Sequence, residues 1–153
     1  MAIKICKLRG VRTAKVLDFI NINKFKVSNF DTVVMFGKNF GLFGNLKRAK
    51  ILLKKLHRIT SKNAIILAEA QDPYNTKNRL RLQYQKANRK KGKLPGQLTI
   101  RIRYKNYIGD WFDYLFASKK EVKVLLEGTN WTVERFIESG PVFIAVIKKE
   151  SVI

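Results

Sequence analysis

Residues able to carry proton or metal chemistry are few and scattered in this 153-residue chain. The single histidine, His57, lies inside a basic stretch with no acidic or cysteine neighbour in sequence. It reads as a solvated helix residue rather than as a general base or metal ligand. The single cysteine, Cys6, reads as a small buried hydrophobe, and one thiol supplies neither an internal disulfide nor a zinc cluster. No catalytic residue and no metal site can be named on this basis. Glu69 and Asp72 lie at the end of a short apolar run and could orient a substrate amine. Ordinary polar loop groups are the preferred reading for both.

Two other patterns point to binding. Glycines 37, 41 and 44 come after the continuous apolar run Val33-Val34-Met35-Phe36. They are either plain turn glycines or places where backbone approaches a ligand closely, and their position after a buried strand favours the ligand. Farther on, Arg101, Arg103 and Lys105 alternate with Ile100, Ile102 and Tyr104, which makes them candidates for contacting an anion. Tyr104, Tyr107 and Trp111 would add stacking for bases. The competing reading is an exposed strand face kept soluble by charge. From Pro73 to Gly109 the chain has 11 basic residues and no acidic one.

The elements that would position these groups are read from periodicity. Residues 2–9 predict a short helix with Gly10 just past its end. Ala14–Ile20 predicts a short strand, and Phe30–Phe36 a strand covered on both faces. Asn45 caps a helix with apolar positions Leu46, Ala49, Leu52, Leu53, Leu56 and Ile59. Thr60–Asn63 turns into the strand Ala64–Ala70, completing a parallel βαβ unit. A helix from Thr76 toward Gly92, with Leu80, Tyr84 and Ala87 on one side, precedes the break at Pro95-Gly96. Strand 98–105 then pairs with Trp111–Ala117 across Asn106–Asp110. Ser118 and Glu121 form a capping box for a helix ending at Gly128. Trp131–Ile137 and Val142–Lys148 make a closing antiparallel hairpin.

The charge is unusual: 32 Lys and Arg against 11 Asp and Glu, a formal +21. It raises nucleic acid or another polyanion as a partner, and a lysine-rich proteome or heat tolerance as alternatives. No apolar run approaches the roughly 20 residues of a membrane span. With no signal-peptide pattern and one cysteine, a cytoplasmic location is the default expectation.

The strand Phe30-Asp31-Thr32-Val33-Val34-Met35-Phe36-Gly37 and the turn Lys38-Asn39-Phe40-Gly41-Leu42-Phe43-Gly44-Asn45 resemble the fourth strand and adjoining loop of class I S-adenosylmethionine-dependent methyltransferases. The strand Ala64–Ala70, the helix leaving through Glu127-Gly128-Thr129-Asn130-Trp131 and the closing hairpin are similar to the later elements of that fold, where the last strand is antiparallel. The resemblance spans nearly the whole chain and implies an α/β fold, a partial Rossmann-like methyltransferase sheet with a basic β-hairpin insertion at about 73–117. It implies S-adenosylmethionine as cofactor and methyl transfer to an unidentified acceptor. Asp18 would contact the adenine amino group, with a turn cap or a solvent-facing residue as the alternative reading, and Phe19 would pack on the adenine ring. Phe36, Gly37 and Lys38 would line the methionine and methyl side, and Asn39 and Phe40 would either touch substrate or serve only the structure of the turn.

Members of that family begin with a strand, a glycine-rich loop and an acid ending the second strand. Here the only early glycine is Gly10, and residues 2–13 look like the helix that comes after that second strand. Residues 1–153 are therefore expected to be a single incomplete domain, truncated, split or repurposed. An apolar sheet edge would be exposed, with self-association or a partner chain as the consequence. The alternative to an enzyme is a non-catalytic binding module or subunit that contacts nucleic acid or protein through its basic surface.

Overall fold

The computed structural model describes residues 2–24 and 29–150. Helix α1 (Ala2–Leu8) stops, as expected, just before Gly10, whose φ is 80°. The Gly10 and Val11 amides donate to the Lys7 and Cys6 carbonyls, both at 3.0 Å, and so satisfy the last turn.

The predicted strand at 14–20 does not form. Residues 14–18 belong to no strand, and Val16 is 89% exposed. A strand needs a neighbour for its backbone groups, and no strand of the described residues pairs with this segment. Asp18 instead turns the chain: its carboxylate accepts the Ile20 amide at 3.0 Å and its carbonyl the Asn21 amide at 2.8 Å. A short 3₁₀ helix, Phe19–Lys24, comes next and lays Phe19, Ile20 and Ile22 against the core.

Strands β1 (Phe30–Met35) and β2 (Thr60–Gln71) are parallel, with Val33 opposite Ile66 and Met35 opposite Ala68. Helix α2 (Leu46–Ile59) makes the crossover and buries Ala49, Leu52, Leu53, Leu56 and Ile59 of the expected stripe, whereas Leu46 in its first turn is exposed. β2 begins at Thr60, so the segment read as a turn is already strand. Near the end of the chain, strands β7 (Trp131–Ser139) and β8 (Val142–Lys149) form the closing hairpin. β8 runs antiparallel to both of its neighbours, β2 and β7, and the four strands make one sheet in the order β1-β2-β8-β7.

One face of the sheet is sealed. Ala64, Ile66, Ala68 and Ala70 of β2 and Ala145 and Ile147 of β8 share a core with α2 and with α4 (Lys119–Leu126). Trp131, 1% exposed, closes this core and donates its indole N–H to the Leu53 carbonyl at 3.0 Å. Ser118 and Glu121 cap α4 reciprocally, as their spacing predicts. The other face is only partly covered among the described residues. Val34 of β1 is 56% exposed, so the expectation of cover on both faces fails at this edge strand.

Residues 72–117 form a separate wall. Helix α3 (Arg79–Lys90) starts at Asn78, whose side chain accepts the Arg81 amide. Its predicted apolar side is not its inner side: Leu80 is 75% exposed, and the buried positions are Gln85 and Asn88. Hydrogen bonds rather than apolar contact hold the helix. Gln85 donates to the Pro73 carbonyl at 2.7 Å, and Asn88 donates to the Pro95 and Gln97 carbonyls at 3.1 and 2.7 Å. Strands β3 (Gln97–Ile100) and β6 (Phe112–Leu115) pair antiparallel. Beyond them the short ribbon of β4 (Arg103–Tyr104) and β5 (Tyr107–Ile108) carries the hairpin outward. No helix among the described residues is long and apolar enough to cross a membrane.

Candidate functional site at the ends of the parallel strands

β1 ends in two successive left-handed residues, Gly37 at φ 71° and Lys38 at φ 63°. A 3₁₀ turn, Asn39–Phe43, and Gly44 at φ 73° then lead to Asn45, which accepts the Arg48 amide at 2.9 Å and caps α2. A glycine is the residue that reaches positive φ without strain.

The three glycines have different surroundings. A side chain at Gly41 would meet the Tyr114 ring at 2.2 Å, and one at Gly44 would lie 3.1 Å from the Asp113 carbonyl. These two glycines therefore admit the insertion hairpin, not a ligand. Gly37 has nothing within 4 Å of where a Cβ would stand. It is the one position of the three that matches the expectation of open backbone.

The hairpin grips the turn from above. The Tyr114 hydroxyl donates to the Lys38 carbonyl at 2.5 Å. Asp113 accepts from the Asn45 side chain at 3.1 Å and from the Thr99 hydroxyl at 3.0 Å. Burial, and secondarily Glu69, pushes the Tyr114 phenol above its ordinary value, which keeps it a donor. Glu69 spans the parallel strands: its carboxylate accepts the Gly37 amide at 2.9 Å. That bond makes Glu69 more than the polar loop group its sequence suggests, and Tyr114 more than hairpin packing. The signals available in sequence are slight: a lone acid near the end of an apolar strand, and the alternation Phe112, Tyr114, Phe116.

The other expected contacts divide. Phe36 is 47% exposed at the strand end, and Lys38 and Asn39 flank the open position. Phe40, expected beside substrate, is fully buried, edge-on to Phe43 at 5.1 Å, and offers no surface to a ligand. Asp18 is exposed and caps its turn through one oxygen. Phe19 lies 5.6 Å from Phe43, which brings the segment around Asp18 to the same turn. His57 is half-buried rather than solvated, edge-on to Trp131 at 5.8 Å. Burial and then Lys149 lower its pKa. Arg101, Arg103 and Lys105 are exposed on the outer ribbon, away from the turn.

A cleft of about 310 Å³ opens past the carboxyl end of β2, between Gln71–Pro73, Arg81 and Tyr84 of α3, and Leu98 of β3. Phe116 lines it and stacks edge-on to Tyr114 at 5.4 Å. Two rings thus join the cleft to the glycine turn.

Gly41→Ala should cost about 3 kcal/mol or more, because the Tyr114 ring must move. Gly37→Ala should cost only the left-handed penalty, about 1–2 kcal/mol. Urea denaturation measures both, and Gly41→Ala combined with Tyr114→Ala should be less than additive.

No family model matches the sequence, and no curated protein matches it. Solved structures do. A methyltransferase from Bacteroides fragilis, crystallised with S-adenosyl-L-homocysteine, superposes at TM-score 0.76 and 21% identity over 98% of this chain. Methyltransferases from Methanosarcina mazei and Clostridium acetobutylicum give TM-scores of 0.66 and 0.60 at 16% and 7% identity. They match 99% and 97% of this chain. The chain spans 60% of the length of the first of these and 78% and 69% of the other two. With its parallel pair extended by a strand antiparallel to both neighbours, and a turn of glycines at the end of β1, the chain has the fold of the class I S-adenosylmethionine-dependent methyltransferases.

Proposed function

We propose that this chain takes part in S-adenosylmethionine-dependent methyl transfer, with the donor at the carboxyl ends of β1 and β2. The observation that carries the reading is Gly37: an open, left-handed glycine at the topological position where open α/β sheets bind ligands, held by a carboxylate from the next strand. When bound, S-adenosylmethionine supplies a methyl group made electrophilic by the attached sulfonium.

The residues present fit that group in kind. Exposed Phe36 and the bare backbone of Gly37 offer an apolar seat for the methyl end. Glu69 places negative charge beside it in a strongly basic protein, favouring a cationic donor over its neutral product. Asp18 keeps one oxygen on its own turn, and its exposed carboxylate can accept from an adenine amino group. Phe19, half-buried against Phe43, has an exposed part left for the adenine ring. The cleft lined by Asp72, Tyr84 and Leu98 then holds the acceptor. Methyl transfer asks the protein for alignment and exclusion of water more than for proton transfer, and the turn supplies fixed backbone for that alignment.

Calorimetry on the full chain tests this. S-adenosylhomocysteine should bind, and Asp18→Ala should weaken it about tenfold, the value of one hydrogen bond. Glu69→Gln should weaken S-adenosylmethionine more than S-adenosylhomocysteine, since only the former carries the sulfonium charge. The absence of heat with both ligands at millimolar concentration would contradict the reading.

We further propose that the outer edge of β1 receives a second copy of the chain. Among the described residues no strand pairs with that edge, and Val34 is exposed on the strand. Sedimentation velocity should show association that rises with concentration and is lost in Val34→Lys.

A further inference from the structure

The outer hairpin is a second surface of distinct chemistry. Residues 101–108 are all exposed, as are Asp110 and Trp111. Tyr104, Tyr107, Trp111 and Ile102 are each more than 60% exposed. None of the 11 cations between Pro73 and Gly109 forms an ion pair among the described residues. Exposed charge alone would be a solubility device, but such a device does not carry a tryptophan, two tyrosines and two isoleucines.

Cations and rings are interleaved at contact distance. The Arg101 guanidinium lies 4.7 Å over the Trp111 ring, and the Lys105 ammonium lies 5.6 Å from the Tyr104 ring. Tyr104 pairs with Tyr107 across the ribbon, and Arg103 pairs with Ile108 on its other side. Apolar groups thus occupy both sides of the ribbon, whereas insertion into a membrane surface needs them gathered on one. At its root the arm continues into β3, whose Leu98 lines the cleft opposite Arg81 and Tyr84 of α3. The exposed cations Arg79, Lys86 and Lys90 lie on the same helix.

We propose that the arm and α3 bind single-stranded nucleic acid. Arg101, Arg103, Lys105 and the cations of α3 contact phosphates. Trp111, Tyr104 and Tyr107 stack unpaired bases, whose faces a duplex would keep closed. The surface does not depend on methyl transfer, and its test contains no cofactor.

The full chain is titrated with labelled oligo-U and oligo-dT of about 16 nucleotides at several salt concentrations, with tryptophan emission followed in parallel. Trp131 is buried and Trp111 exposed, so quenching by stacked bases reports Trp111. Binding should weaken with salt, and Arg101→Glu with Arg103→Glu should lower the slope of log affinity against log salt by about 1.4. Trp111→Ala should weaken binding on the order of tenfold at unchanged slope, with partial rescue by Trp111→Phe. A stronger response to oligo-U than to oligo-dT would indicate RNA, and the reverse DNA. Charge reversal at the exposed Lys47 and Lys54 of α2 should have little effect. The proposal is overturned by absent binding at low salt, by an equal loss in the α2 variant, or by Trp111 quenching with phosphatidylglycerol vesicles but not with oligonucleotide.

Discussion

The ring of Tyr114 lies where a side chain on Gly41 would be, and its hydroxyl reaches the Lys38 carbonyl at 2.5 Å. That contact joins residues 76 apart in the chain and sets the shape of both regions. On one side it holds the turn that leaves β1, so Gly37 remains in its left-handed conformation with open space beside it. On the other it anchors the insertion hairpin to the sheet, and through Phe116 it fixes one wall of the cleft. A turn pinned by a distant hairpin is more rigid than a free glycine loop. Under the proposed methyl transfer, donor and acceptor would need to be held in register, and this clamp would supply that rigidity from a single ring.

Charge divides the molecule in a complementary way. Of its formal +21, the stretch from Pro73 to Gly109 supplies 11 cations with no acidic residue among them. The ends of the parallel strands instead carry Glu69, and the turn before β1 carries Asp18. The proposed donor is cationic and the proposed partner of the arm anionic, and each would face charge of the opposite sign. The cleft lies between these two regions, with Asp72 and Arg81 both among its lining residues.

Much of the fold was legible because its signals are local. Asn45 caps α2, Ser118 and Glu121 close a capping box, and the β7–β8 hairpin is marked by Gly140-Pro141, all within a few residues. The failures share another cause. Segment 14–20 has strand-forming residues, but a strand also needs a partner, and among the described residues this segment joins no sheet. Apolar periodicity pointed to the wrong inner face for α3, because Gln85 and Asn88 hold it by donating to carbonyls. At the site, Gly37, Gly41 and Gly44 are indistinguishable in sequence, since the groups that crowd the latter two lie on β6. The role of Glu69 is hidden in sequence for a similar reason: its bond to Gly37 spans 32 residues. For Phe40 the residues leave substrate contact and a turn role open, and its full burial, which decides for the turn, comes from packing that no local pattern records.

Whether the carboxyl ends of β1 and β2 receive the methyl donor is tested residue by residue by amide shifts of ¹⁵N-labelled protein during titration with S-adenosylhomocysteine. Saturable changes are expected at Phe36, Gly37, Lys38 and Glu69, accompanied by Asp18 and Phe19. Changes confined to the opposite end of the sheet, around His57 and Lys149, or no change at saturating ligand, would contradict a donor site there.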